Sequence, residues 1–118
     1  MKRDYGLFLK DIVTACQYIQ DFVAGMSYSK FLHDKKTTSA VIRQFEIIGE
    51  AAKNIPDSIR KKYSKINWKD MTGMRDRLIH GYFGVDYHIV WDTIANEIPK
   101  LKTSIEKISR EIEANKSK

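Results

Sequence analysis

The last third of the chain holds the feature that most restricts its fold. Val90, Ile94, Ile98, Leu101, Ile105, Ile108 and Ile112 follow one another at steps of four, four, three, four, three and four residues. Steps that alternate between three and four keep apolar side chains on one face of an α-helix, whereas a strand gathers every second residue. The stripe predicts one long final helix. It starts behind Asp86, a carboxylate suited to capping its first turn, and bends at Pro99, where a backbone donor is lost. The tail from Ala114 onward is expected to fray.

Two other stripes have the same period and can cover the first. Phe8, Ile12, Ala15, Cys16, Ile19, Phe22 and Val23 predict a helix from about Asp4 to Ala24, stopped at Gly25. Val41, Ile42, Phe45, Ile48, Ala51, Ala52 and Ile55 predict a second, from near Asp34 to Asn54, broken by Ile55-Pro56-Asp57-Ser58. Between the stripes the pieces are short. Ser27 or Ser29 can cap a single turn carrying Phe31 and Leu32, and a short helix is expected around Ser58 to Tyr63. After a turn over Ser64 to Asn67, Asn67 can cap a helix that begins at Trp68 and ends near His80-Gly81. Gly73 lies inside that helix as a weak point that permits close packing against a neighbour. With no strand pattern and no repeat, the expected fold is all-α: one domain over residues 1–118, an antiparallel, up-and-down helical bundle with short accessory helices.

Composition removes several function classes. The single cysteine, Cys16, excludes an internal disulfide framework and falls on the first stripe, where it serves as a small buried hydrophobe. That agrees with a reducing cytoplasm, the expected location. No apolar run follows the Met1-Lys-Arg-Asp start, so no signal peptide is expected, and no stretch approaches the ~18 apolar residues of a membrane span. His33, His80 and His88 are scattered, and there is no CxxC, HExxH or glycine-rich phosphate loop. No metal site and no cofactor are therefore expected, a metal hydrolase is disfavoured, and His33 and His88 read as exposed. A net charge of +6 favours a polyanion such as RNA, a light clue taken alone.

Chemistry is concentrated in Met74-Arg75-Asp76-Arg77-Leu78-Ile79-His80-Gly81-Tyr82. Histidine exchanges protons near neutral pH, and arginine offers a permanently charged fork of donors that fits phosphate oxygens. Together they make a minimal kit for metal-free cleavage of a phosphodiester. At ~100° per residue, Asp76 and His80 share a helix face, so Asp76 can orient the imidazole. Arg77 is about 60° round from His80. Arg75 is about 140° round, and reaches a substrate held by His80 only through its length or a loosened helix near Gly81. Spacing alone equally allows an ordinary Asp–His pair on a solvated helix. It also allows Tyr82 to be one more aromatic packing with Phe83 and Trp91. The stripe Arg43, Glu46, Glu50 and Lys53 on the second long helix has two readings as well: a solvated ladder, or the lining of a catalytic groove or dimer seam.

These residues also carry a resemblance. Arg75-x-x-x-x-His80-x-Tyr82, with polar Asp76 directly after the arginine, resembles the signature of the HEPN superfamily, and the HxY extension resembles its HepT-like ribonuclease toxin branch. The segment Ala40-Val-Ile-Arg-Gln-Phe-Glu-Ile-Ile-Gly-Glu-Ala-Ala-Lys53 is similar to that family's second long helix. Gly81-Tyr-Phe-Gly-Val-Asp86 followed by Ile89-Val-Trp91 is similar to the segment after its motif. The likeness runs from about Asp4 to about Ile108, and Asp76 is a departure, since many relatives carry asparagine there. It implies a metal-independent endoribonuclease toxin in which His80 moves a proton and Arg75 stabilises the phosphate, with Asp76 and Arg77 in support. It further implies a minimal nucleotidyltransferase antitoxin that silences the toxin by adenylylating Tyr82. Because one motif offers one histidine where cleavage needs both a proton acceptor and a donor, a homodimer is expected. The alternative is a non-catalytic HEPN module that docks a nucleotidyltransferase or a nucleotide. The intact Arg75, His80 and Tyr82 argue against it.

Overall fold

A computed structural model describes residues 4–78 and 84–116. The three stripes lie, wholly or for the greater part, on three 19-residue helices, α1 (Tyr5–Val23), α3 (Lys35–Lys53) and α8 (Ile98–Lys116). Around them lie α2 (Tyr28–Leu32), α4 (Asp57–Lys62), α5 (Trp68–Thr72), α6 (Met74–Leu78) and α7 (Tyr87–Asn96). Five starts are fixed by local capping. The side chains of Asp4, Ser27, Asp34, Asn67 and Asp86 each accept from a backbone N–H two or three residues on. Gly25, at φ 76°, ends the first helical segment in a left-handed conformation that a Cβ would strain.

Helix α1 is the central element, packing on both α3 and α8. Its direction relative to α8 follows from its ion pairs. Asp4 meets Lys116 at 2.6 Å and Lys10 meets Glu113 at 3.3 Å, so α8 descends as α1 rises. The start of α1 and the end of α3 share a cleft at Tyr5, Phe8, Lys53 and Asn54, so α3 also runs opposite to α1. The expected all-α antiparallel bundle is what forms. Leu9, Ile12, Cys16 and Ile19 of α1 interleave with Val41, Phe45 and Ile48 of α3 and Ile98, Ile105 and Ile108 of α8 in one buried core. Each such side chain contributes roughly 1.5–3 kcal/mol on burial. Leu9 belongs to this core although the predicted stripe passed over it, while Phe8, Phe22 and Val23 are only partly buried. Burial pushes the Cys16 thiol up to about 12 from 9.0, as expected of an inert core residue. His33 and His88 are exposed, also as expected.

Two expected helices are each divided. The helix from Trp68 stops at Thr72 and resumes at Met74, with Gly73 as the cap between them. Glycine in a helix interior costs about 1 kcal/mol, and the Thr72 hydroxyl donates back to the Lys69 carbonyl at 2.9 Å, favouring closure there. Gly73 is not the close contact expected of it. That role falls to Gly49 on α3, where a Cβ would lie 3.4 Å from the Met71 carbonyl oxygen and 3.5 Å from that of Thr72. The long final helix is likewise two helices, α7 and α8, meeting at Glu97 rather than one helix bent at Pro99. A proline ring clashes with the carbonyl four residues back and is at home in a first turn, so the new helix starts just before it.

Candidate functional site

The short helix α6 carries the motif's arginines. Met74 and Leu78, at i and i+4, are both buried and seat the helix on the core. The three residues between them then radiate at about 100° intervals and meet different surroundings. Arg75 turns toward α3, where its Nε lies 3.4 Å from Glu46 Oε2, with the arginine side chain 57% exposed. Asp76 is exposed, and among the described residues its carboxylate makes no ion pair.

Arg77 turns the other way, toward the junction of α7 and α8. Its Nη2 donates to both Glu97 oxygens at 3.2 and 3.3 Å and to the Thr93 hydroxyl at 3.5 Å, and its Nη1 lies 3.8 Å from Asp70 on α5. Its Nε is buried and, among the described residues, has no hydrogen-bond partner. So Arg77 ties three elements together, while Arg75 is held at the surface by one carboxylate among the described residues.

Of the expected site residues, the structure places Arg75, Asp76 and Arg77 on one short helix; His80 and Tyr82 lie outside the described residues. The frame around them is described. The Asp86 N–H donates to the Leu78 carbonyl at 3.0 Å, tying the start of α7 to the end of α6. Gly84, two residues before Asp86, takes a left-handed conformation at φ 76°. Trp91 packs on Phe31 at a ring separation of 5.0 Å and on Tyr28 at 6.1 Å, linking α7 to α2. Of the charged stripe on α3, Glu46 reaches the motif helix. Asp70, Thr93 and Glu97 were not singled out from the sequence, and no local spacing points to them as partners of Arg77. Among the described residues no cluster of three or more His, Cys, Asp or Glu is placed to hold a metal.

The family profile described as "HepT-like: Ribonuclease HepT-like" matches residues 12–108. This chain belongs to the HepT-like ribonuclease family. A "Probable ribonuclease HepT" of Thermococcus cleftensis is 46% identical over 110 residues, covering 93% of this chain and all of the relative. A protein of Methanocaldococcus jannaschii named "Putative RNase MJ0125" is 49% identical over 112 residues, covering 95% of this chain and 97% of its own. A "Putative RNase TTE0752" of Caldanaerobacter subterraneus is 46% identical over 101 residues, 86% of this chain and 90% of that one. No solved structure matches. The HepT-like match takes in all of α3 to α7, and so the whole motif with the helices that seat it. The HepT-like chain is thus a ribonuclease of toxin type on a helical bundle, and no described helix is long and apolar enough to cross a membrane.

Proposed function

We propose that this HepT-like protein is a metal-independent endoribonuclease toxin whose reaction is centred on Arg75 and His80. In the reaction the RNA 2′-hydroxyl attacks the adjacent phosphorus. The 2′-oxygen–phosphorus bond forms, the phosphorus–5′-oxygen bond breaks, and the products are a 2′,3′-cyclic phosphate and a 5′-hydroxyl. One proton leaves the 2′-oxygen and one reaches the departing 5′-oxygen, and His80 carries at least one of these transfers. Arg75 donates to the non-bridging oxygens as charge gathers on them. Asp76 orients His80.

The observation that carries this reading is the contrast between the two arginines. Arg75 is exposed beside the Glu46 carboxylate, which a phosphate can replace, whereas Arg77 is committed to Glu97, Thr93 and Asp70. Arg77 therefore supports the site by holding α6 in place. A homodimer would bring two motifs, and so two histidines, to one groove. Silencing falls to a nucleotidyltransferase antitoxin. The Tyr82 oxygen attacks the α-phosphorus of ATP, pyrophosphate leaves, and the new adenylate competes with RNA for the same donors. The expected setting is the cytoplasm, and the 118 residues act as one domain.

The test is cleavage of RNA by the purified protein in excess chelator, with end-group analysis of the products. Cleavage should persist, yield cyclic phosphate ends, and vanish in His80→Ala and Arg75→Ala. Activity destroyed by chelator and restored by magnesium would refute the mechanism. Mass spectrometry of the chain co-expressed with a cognate nucleotidyltransferase should find adenylate on Tyr82. A silenced complex with Tyr82 unmodified would replace modification by occlusion.

A further inference from the structure

The positive charge of this chain is not spread over it. Residues 58–69 hold Arg60, Lys61, Lys62, Lys65 and Lys69 and no carboxylate, a net of +5 out of the chain's +6. The other 106 residues are close to neutral, with 16 cations against 15 anions. The structure turns this run into a surface. Arg60 is used internally, donating from Nη2 to the Ala52 carbonyl at 2.6 Å and from Nε to the Ile55 carbonyl at 3.0 Å. It caps the end of α3 and fixes α4 against it. Tyr63 ties the far end of α4 to α8 by donating to Glu111 at 2.7 Å, and the Trp68 indole N–H holds the following turn through the Tyr63 carbonyl at 3.1 Å. The four lysines are left outward: Lys61, Lys62, Lys65 and Lys69 are exposed, and none forms an ion pair among the described residues.

The surface is concave. Three clefts of about 300, 210 and 570 Å³ meet at Lys65 and Ile66. Lys107 and Lys100 of α8 join the first and second. Tyr63, partly exposed, lines the first with the Lys62 ammonium 5.5 Å from its ring centre, so an aromatic ring and a cation lie together on the cleft wall, the pairing of groups that single-strand binding surfaces use. The second cleft runs along α5 to Met74 and to Glu97, the partner of Arg77. Of the acids that line the three clefts, Asp70 and Glu97 are engaged by Arg77 and Glu111 by Tyr63, while Asp57, at the start of α4, lies at the edge of the third.

We propose that the α4–α5 surface, centred on Lys61, Lys65 and Lys69, is a binding site for the phosphodiester backbone of single-stranded RNA that leads the substrate toward the motif helix. It rests on the ribonuclease reading and adds to it a second site, remote from the reacting bond. Flexible, unpaired lysines on a groove recognise backbone rather than bases, so the site sets affinity without dictating sequence.

The experiment measures binding of a fluorescein-labelled 2′-O-methyl oligoribonucleotide, which cannot be cleaved, to the full chain over a range of salt. It compares the native protein with K61Q/K65Q/K69Q and with K30Q/K35Q/K36Q, which removes the same charge from α2 and the start of α3, about 25 Å away at the other end of α3. The surface triple should lower affinity by roughly 10- to 100-fold at low salt and flatten the logarithmic salt slope by about 2, given about 0.7 per phosphate on a single strand. The distant triple should change both far less. On cleavable RNA the surface triple should raise KM and leave kcat in place. Equal effects of the two triples, or none, would overturn the proposal while leaving the cleavage reading intact. An inactive enzyme that still binds through these lysines would refute cleavage and leave the surface standing. Loss of a protein partner with RNA affinity unchanged would assign the patch to that partner and also overturn it.

Discussion

Replacing Arg77 by alanine should unfold this protein more readily than it damages the chemistry, and Arg75 should behave the opposite way. Arg77 is two-thirds buried and holds Glu97, half exposed, at 3.2 Å. A hydrogen bond to a charged group contributes about 1.5–3 kcal/mol when buried, and solvent screening at this partly open site reduces it to about 1. The weaker contacts to Thr93 and Asp70 and the aliphatic stem packed at the α5–α7–α8 junction add about 1 more. Relief of the buried, unpartnered Nε offsets part of that. The net is a destabilisation of about 1–2 kcal/mol, or about 3–10 °C in Tm for a chain of this size. Arg75→Ala removes one exposed pair and should cost under about 1 kcal/mol. Urea denaturation and calorimetry of both variants, paired with cleavage rates at a temperature where each is folded, separate the two roles. A double-mutant cycle with Glu97→Gln should return a coupling of about 0.5–1 kcal/mol. An Arg77→Ala protein with an unchanged midpoint and no cleavage would refute the assignment, and would make Arg77 the phosphate ligand.

Three other outcomes follow from the same geometry. Glu46→Gln frees Arg75 of the carboxylate it meets among the described residues and should change KM for RNA more than it changes Tm, read by steady-state kinetics beside a thermal melt. Gly49→Ala should be tolerated, because its Cβ reaches only contact distance from the α5 carbonyls, whereas Gly49→Val should cost about 1–3 kcal/mol and displace α6, seen as lost stability together with lost cleavage. Cys16 should resist thiol reagents until the chain unfolds. Its folded-state pKa of about 12 stands above the unfolded 9.0, so the unfolded chain sheds this proton first and stability should fall as pH rises from 9 toward 12, checked by denaturation across that range.

The helices, their caps and the buried stripes were legible in the sequence because each depends on residues within a turn of one another. Asp4, Ser27, Asp34, Asn67 and Asp86 cap backbone groups two or three positions away, so each start can be read without knowing the fold. The motif was legible for a different reason: its residue types and spacing resemble a family to which the chain proved to belong. The divisions at Gly73 and Glu97 were harder, since a stripe of period 3.6 continues across a break that leaves the buried face in line. Only the tertiary structure decided what the two arginines do. Arg75 meets Glu46 from a helix 29 positions earlier, and Arg77 meets Glu97 from 20 positions later, because α6 is seated between α3 and the α7–α8 junction by Met74 and Leu78. Two neighbours of identical chemistry thus receive opposite surroundings, since about 100° of helix separates each from the next residue and the core fixes which way that rotation points.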